Sequence, residues 1–505
     1  MNSFPRGSEW RRWDLHVHTK GTNKNDQFKS KDFETFCEVL FRKAIDNDIA
    51  AIGITDYFSI DNYKKVKDYL SKIDDKTSFT EDEKNQIKNI LLLPNVELRI
   101  FPVTDKGRLV NIHFIFNPKE DFINYLDNNF FGKLECGNYL MNRQGITEYG
   151  ESLLGSDQKS DDNTAYKDGI NNFHLEISQI KKVLKDKKIA NNAIVVVSNS
   201  KKDGASAFQE HYDLFEGDSG SLNGIRRDIY HISDMVFSGN DNDRKYFLGQ
   251  RSDNSVEVKE KCGSLKPCIH GSDAHTEDKL FAPDNDRYCW IKADPIFEGL
   301  KQLIYEPEDR VYIGKEPPLL GRVVNNKTKY IESLNIRKKD GYDGKNGVWF
   351  DDVNLELNKE LVAIIGNKGN GKSALSDIIG LLGNTHNAGE KQKNLSFLTA
   401  KKFRKKGYAE NFEANLVWAD GSGVNETMCL ADEIDKNAPE KVRYLPQNYF
   451  EQLTNDLEAE GFESTLKSVI FAHIPEQDRL GCGSFNELIE KKTRVIDSDL
   501  GTIRN

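Results

Sequence analysis

Apolar segments of this chain repeatedly end on an imidazole or a carboxylate, and that pattern narrows the folds open to it. In Trp13-Asp14-Leu15-His16-Val17-His18 two histidines stand two residues apart. A β-strand turns residues i and i+2 to one face, so His16 and His18 aim at a single spot. Ile52-Gly53-Ile54-Thr55-Asp56 closes on a carboxylate, Asn95-Val96-Glu97-Leu98 carries Glu97, and Asn111-Ile112-His113-Phe114 carries His113. Far downstream, Ser272-Asp273-Ala274-His275 repeats the two-residue spacing. In a parallel barrel the C-terminal strand ends share one rim, so ligands distant in sequence converge there. Mixed histidine and carboxylate donors suit Zn²⁺, Mn²⁺ or Fe better than Ca²⁺.

The rest of the first 315 residues fits that architecture. Strand-like segments fall at 49–55, 90–94 leading into 96–103, 110–116, 193–198, 235–237, 267–271 and 287–292, with helical stretches between them at 30–47, 62–71 and 174–187. Strands alternating with helices predict parallel βα units, numerous enough for a barrel. Residues 156–172 are rich in Ser, Asp, Asn and Gly and are expected as an exposed loop. At 505 residues the chain is too long for one core. The break falls near Lys315-Glu316-Pro317-Pro318, which divides the chain into 1–315, a linker at 316–345, and 346–505.

The second region holds Gly366-Asn367-Lys368-Gly369-Asn370-Gly371-Lys372-Ser373, a complete phosphate-binding loop. An alternating segment at 348–357 and a short buried strand at 361–365 are expected before it, a helix at 374–382 after it, and another at 484–494. In such a loop the backbone N–H groups wrap the phosphates, Lys372 reaches the β- and γ-phosphates, and Ser373 holds Mg²⁺. Mg-ATP is therefore the expected ligand.

Composition excludes several classes. The seven cysteines are scattered without a C-x-x-C pair, which argues against a disulfide framework or a zinc ribbon. No apolar run is long enough to span a bilayer and the N-terminus lacks a signal-peptide core, so a cytoplasmic protein without a membrane partner is expected. The net charge of −10 does not mark a nucleic-acid binder, but binding depends on local patches. The densest basic stretch is Lys401-Lys402-Phe403-Arg404-Lys405-Lys406, with Lys391 and Lys393 upstream. Such a cluster is more often a solvated face than a phosphate-backbone contact.

His16-Val17-His18, Gly53-Ile54-Thr55-Asp56, Glu97, His113 and Asp273-Ala274-His275 together resemble the motifs of the PHP (polymerase and histidinol phosphatase) superfamily. The resemblance implies a distorted (β/α)7 barrel holding two or three metals that hydrolyse phosphate esters or phosphodiesters. It implies His16, His18, Asp56, Glu97, His113, Asp273 and His275 as metal ligands. Asp56 or Glu97 would bridge metals, and Asp273 or His275 would orient the nucleophile or protonate the leaving group. Two departures stand out. Tyr57 follows Asp56 where the family has a histidine, and Val195-Val196-Val197-Ser198-Asn199-Ser200 offers hydroxyl and amide groups where the family supplies a His or Cys.

The segment from Val362 to Leu375 resembles the ABC/SMC-like ATPases of DNA repair, and Arg443-Tyr444-Leu445-Pro446-Gln447 looks like their Q-loop, with Gln447 toward Mg²⁺ and the attacking water. The signature motif and Walker B pair of that class do not appear. Met428-Cys429-Leu430-Ala431-Asp432-Glu433 mimics the latter but precedes the Q-loop and reads as an ordinary strand and turn. The expectation is the first part of such an α/β ATPase domain, completed by a longer chain or by a second head in a homo-oligomer. Jointly the two halves resemble the TrlF-type PHP–ATPase proteins, which implies an ATP-regulated, metal-dependent phosphoesterase or nuclease acting on nucleic acid, in DNA repair or phage defence. The alternatives are an ATP-gated DNA-binding or sensing module with a structural barrel, and a small-molecule phosphatase fused to a regulatory ATPase.

Overall fold

The computed structural model describes residues 4–101, 109–154, 161–199, 227–386, 396–446 and 460–504. They fall into two compact units, Met1–Asn325 and Asn326–Asn505. The first is organised by one mixed sheet. Its strands are β1 (Trp10–Val17), β2 (Ile49–Tyr57), β3 (Leu91–Phe101), β4 (Val110–Phe116), β5 (Ala193–Ser198), β6 (Met235–Phe237), β7 (Cys268–Ile269), β8 (Cys289–Lys292) and β9 (Val311–Ile313). Their order across the sheet is β7-β6-β5-β4-β3-β2-β1-β8-β9, with the short strand Leu175–Glu176 added beside β3.

The expected succession of parallel units holds in two blocks and fails between them. Strands β1 to β3 are parallel, as are β5 to β7. Strand β4 is antiparallel to both β3 and β5. The physical reason is the short connection from Phe101 to Val110, because a parallel crossover takes about a dozen residues or more. Strands β8 and β9 continue antiparallel beyond β1. Past β7 the chain returns to β1, where Ala274 bridges Val17 in parallel and the Asp273 N–H donates to the His16 carbonyl at 2.9 Å. That return nearly closes the sheet into a barrel and sets the two histidine-bearing segments side by side.

The strands are buried on both faces, as a covered sheet requires. All seven residues of β4 are buried. Their period of two splits them between two cores. Ile52, Ile54, Phe114, Val195 and Val197 pack with the helices, whereas Ala51, Leu93, Ile115, Ile194 and Val196 pack with Trp13 and Leu15. Helix α1 (Phe33–Asp46) buries Phe36, Cys37, Leu40, Phe41 and Ala44 at helical spacing, and its N-cap Asp32 accepts the Thr35 N–H. Helix α2 (Asp61–Ser71) follows β2 closely. The helix expected at 174–187 is divided into Ile177–Val183 and Lys187–Asn192, with Asp186 capping the second.

The loop expected at 156–172 is helical over α3 (Asp162–Asn172), and residues 155–160 lie outside the described residues. Asp161 caps α3 by accepting the N–H groups of Asn163 and Thr164, while Ala165, Tyr166, Gly169 and Ile170 are buried. The polar residues that suggested a loop are its cap and its solvent face.

The second unit has an antiparallel sheet ordered β11 (Val353–Glu356), β10 (Ile331–Lys338), β12 (Phe412–Trp418) and β13 (Met428–Cys429). Helix α4 (Lys372–Leu382) contributes Ala374, Ile378 and Leu381 to a core with Leu334, Ile336, Phe412 and Trp418. The segment read as linker carries the helix Pro318–Asn325 and strand β10. The buried strand expected at 361–365 is not formed; Leu361 and Ile365 are 89% and 90% exposed. A buried strand needs a hydrogen-bonding neighbour, and among the described residues none pairs with this segment. Helix α5 (Phe485–Arg504) covers the helix expected at 484–494.

Candidate metal centre

Strand β1 carries His16, and His18 follows directly after it. Their Nε2 atoms are 3.2 Å apart, and each lies 3.5 Å from Oε2 of Glu97 on β3. Oδ1 of Asp273 is 3.3 Å from His16 Nε2 and 3.4 Å from His18 Nε2. His275 Nε2 stands 3.6 Å from that same oxygen. Two overlapping donor sets result, His16–His18–Glu97 and His18–Asp273–His275, each with its ligand atoms within 4.8 Å of one another. The His18 ring joins them, stacked on His275 at 4.3 Å.

His113 on β4 lies beside the cluster, its ring 4.7 Å from that of His16. Its Nδ1 is 3.2 Å from Asn95 Oδ1, an acceptor, so the ring proton belongs on Nδ1. That leaves Nε2 as the lone-pair nitrogen, buried without a hydrogen-bond partner among the described residues. Asp56, by contrast, is occupied elsewhere. Its two oxygens accept the backbone and side-chain N–H groups of Asn62, at 2.8 and 2.9 Å, in the first turn of α2. It belongs to neither donor set.

The cluster's own atoms fit a divalent cation. Among the described residues His113 Nε2 and His275 Nδ1 are buried without hydrogen-bond partners, and Glu97 Oε2 meets two imidazoles only at 3.5 Å, a state that native interiors rarely leave uncompensated. Imidazole and carboxylate donors in this mixture suit Zn²⁺, Mn²⁺ or Fe. Burial opposes charge on His16 and His18, but Asp273 and Glu97 outweigh it, and His18 is raised to about 9. Glu97 and Asp273 fall well below the usual carboxylate range, because the facing imidazoles overcome burial. Protons here balance the buried Glu97 and the half-buried Asp273 carboxylates, a task a cation takes over when ligands deprotonate. Burial and the His16 charge push His113 down to about 3. Burial raises Asp56 to about 7.

Three positioning residues escaped the sequence reading. Asp14 is buried within β1, and its carboxylate accepts the Ser272 N–H at 3.0 Å. Burial raises it to about 6 against those hydrogen bonds. Asn95 donates to the Leu15 carbonyl and to Thr55 Oγ1 while holding His113. Asn111 donates to Glu97 Oε1 at 2.8 Å, which leaves Oε2 for the cluster. Asp14, Asn95 and Asn111 each precede a ligand-type residue by two, the spacing that shares a strand face. That spacing was the available signal.

The backbone around Asp273 is tightly specified. A Cβ on Gly271 would come within 2.7 Å of His16 Cβ and 2.8 Å of Asp14 Oδ1, so only glycine permits this approach. Asp273 itself has φ 50°, in the left-handed region that aspartate tolerates better than most residues. Ser198 ends β5, and Asn199 donates to Asp243 at 2.7 Å. Ser200 lies outside the described residues.

In the second unit, residues Gly366 to Gly371 form a loop that leads into α4, whose first residue is Lys372. Lys372 Nζ donates to the carbonyls of Gly366 and Asn367 at 2.8 and 3.0 Å, and Ser373 is exposed beside it. Asn367, Lys368, Gly369 and Asn370 are likewise exposed. Gln447 lies outside the described residues. No helix among the described residues is long and apolar enough to cross a membrane.

No protein-family model and no curated protein matches the chain. Among solved structures it is similar to an inferred metal-dependent phosphoesterase from Bifidobacterium adolescentis, at 12% identity and TM-score 0.30, covering 60% of this chain and 98% of that one. PsfC from Pseudomonas syringae matches at 12% identity and TM-score 0.29, covering 63% and 96%. An amidohydrolase from Chromobacterium violaceum, with bound sulfate and no metal, matches at 11% identity and TM-score 0.31, covering 60% and 98%. Likeness of this degree assigns no chemistry, which is left to the side chains.

Proposed function

We propose that the chain is a divalent-metal-dependent phosphoesterase that cleaves nucleic-acid phosphodiesters, with a nucleotide site in its second unit. The convergence of His16, His18, Glu97, Asp273 and His275 supports this reading, for their donor atoms meet although they come from distant parts of the chain. His16, His18, Glu97, Asp273 and His275 would hold the metal, with His113 at its edge. When bound, divalent cations there supply Lewis acidity and a water acidic enough to attack at neutral pH. Asp273, 39% exposed in its side chain, is the more accessible of the two carboxylates facing the cluster, which supports it, or His275 beside it, as the group that would orient a nucleophile. Asn95 and Asn111 fix the orientation of His113 and Glu97.

Lys372 and the exposed start of α4 support Mg-ATP binding, since a helix N-terminus offers free N–H groups to phosphate. A regulatory role for ATP, pairing with a second head, and service in DNA repair or phage defence belong to the same proposal. The test incubates the full chain and Mn²⁺ with labelled single- and double-stranded DNA and with RNA, with and without ATP. Cleavage by the wild type and its loss in the His16→Ala/His18→Ala variant are expected. Undiminished cleavage by that variant, or no cleavage of any polynucleotide, overturns the reading.

A further inference from the structure

Beside the donor cluster lies a pair of cations that the metal centre does not use. Tyr57 stands where the resemblance led us to expect a histidine, and its ring stacks on His18 at 4.9 Å and 17°. Two positive groups face that ring, the Arg99 guanidinium at 5.8 Å and the Lys24 ammonium at 5.9 Å from its centroid. They come from independent places, Arg99 from β3 two residues past Glu97, and Lys24 from the loop after β1. The same loop places Thr22 Oγ1 3.4 Å from His18 Nδ1.

Among the described residues the pair has no salt-bridge partner, and the carboxylate whose charge reaches Lys24 is that of Glu97, which already faces His16 and His18. Arg99 is only 8% exposed, its Nη1 donates to the Asn171 carbonyl at 2.8 Å, and its Nη2 is buried with no hydrogen-bond partner among the described residues. Neither Arg99 nor Lys24 forms an ion pair with a carboxylate among the described residues. A buried guanidinium N–H without an acceptor is costly, and two cations over one ring repel each other. Both costs disappear when an anion lies between them. A guanidinium fork and an ammonium are the pair of groups proteins use for phosphate oxygens. Tyr57, which both heads approach and which stacks on His18, links the pair to the donor cluster.

We propose that Arg99 and Lys24 form a second anion subsite, which takes a phosphate group neighbouring the one bound at the metal cluster. The inference rests on the phosphoester reading above and narrows it to substrates with two adjacent phosphates. Such a group comes either from the next phosphate of a polynucleotide or from a second phosphate on a small molecule. The scissile phosphate would be met by the cluster, and the neighbouring one by Arg99 and Lys24, which fixes register along the substrate.

The test separates the subsite from the activity. Inorganic phosphate is titrated by calorimetry into the full chain after chelator treatment. Lys24→Gln and Arg99→Gln are each expected to weaken binding at least ten-fold, Arg99→Lys to weaken it less, and His16→Ala/His18→Ala to retain a site that Lys24→Gln removes. Lys24 lies on an exposed loop, so its variant reports even where Arg99→Gln fails to fold. Phosphate binding that is absent in the wild type, or unchanged in Lys24→Gln, overturns the subsite whether or not the chain is an enzyme. With Mn²⁺ present, KM is compared for p-nitrophenyl phosphate, a nucleoside bisphosphate and a 5′-phosphorylated oligonucleotide. In Lys24→Gln the KM penalty on at least one two-phosphate substrate should exceed that on p-nitrophenyl phosphate ten-fold, and whichever bears it identifies the source. Equal penalties on all three substrates overturn the second-phosphate assignment. If no substrate turns over, the phosphoesterase reading fails while the calorimetry still decides the subsite.

Discussion

The carboxylate of Asp14 accepts the backbone N–H of Ser272, 258 residues further along the chain. This bond ties the end of β1, with His16 and His18, to the return segment that carries Asp273 and His275. The Asp14 side chain also accepts the His16 N–H at 3.3 Å, so it holds both halves of the donor cluster in register. Outer hydrogen-bond partners of metal ligands change affinity by about 10–100-fold when removed. Asp14→Ala should weaken Mn²⁺ or Zn²⁺ binding in that range while far-UV circular dichroism stays native. Calorimetric titration with the metal measures it, and an unaltered affinity would show that Asp14 acts only as a buried fold residue.

Gly53 lies on β2 against the backbone of Leu15 on β1. A Cβ there would sit 2.2 Å from the Leu15 carbonyl oxygen and 2.6 Å from its carbon. Both atoms are backbone, so no side chain can move aside, and the strands themselves must separate. Gly53→Ala should therefore cost about 3 kcal/mol, the upper end for overpacked cores. Because Leu15 adjoins His16, metal affinity should fall with it. A thermal melt without and with Mn²⁺ reads both effects, and a wild-type melting temperature would refute the argument.

How far the site could be read from the chain depended on whether each side chain answers to a strand or to a neighbour. His16, His18, Glu97, Asp273 and His275 come together beside His113 less by a shared rim than by pairing, since Glu97 and His113 are partners inside antiparallel β3 and β4 and the return segment bridges β1. The apolar runs that carry them are nonetheless visible in the sequence. Asp56 sits on such a run too, yet α2 starts five residues on and Asn62 in its first turn claims the carboxylate. Local hydrogen bonding of that kind has no period in the sequence. The reversal at β4 was hidden in the length of one connection, and α3 was hidden because its cap and exposed face have the composition of a loop. The segment at 361–365 is apolar enough for a buried strand, but pairing is set by neighbours that a single segment does not reveal.

Lys372 bends back onto the carbonyls of Gly366 and Asn367, the position from which it would swing to phosphate oxygens. Lys372→Ala should lower affinity for a fluorescent ATP analogue at least ten-fold and leave metal binding in the first unit unchanged. Loss of metal binding alongside nucleotide binding would indicate general misfolding. Retained ATP affinity would remove the phosphate-binding role from this loop.

Lys266 offers a pH signature remote from the metal ligands. Its ammonium is buried before β7, donating to the Ser233 carbonyl at 2.6 Å and to Ser264 Oγ at 3.1 Å. Burial lowers it from 10.5 to about 8, with Cys262 and Asp234 opposing only in part. The folded chain therefore releases this proton at lower pH than the unfolded chain does. Between about pH 8 and 10.5 the unfolded state binds more protons, so this group's contribution to stability rises with pH. Below pH 8 the cost of the buried charge is fully present, and above 10.5 it is relieved, by up to about 3 kcal/mol. Lys266→Met lacks the titration. Urea midpoints measured from pH 7 to 10.5 should show the wild type gaining on the variant as pH rises. Parallel profiles for the two proteins would mean that Lys266 carries no such strain.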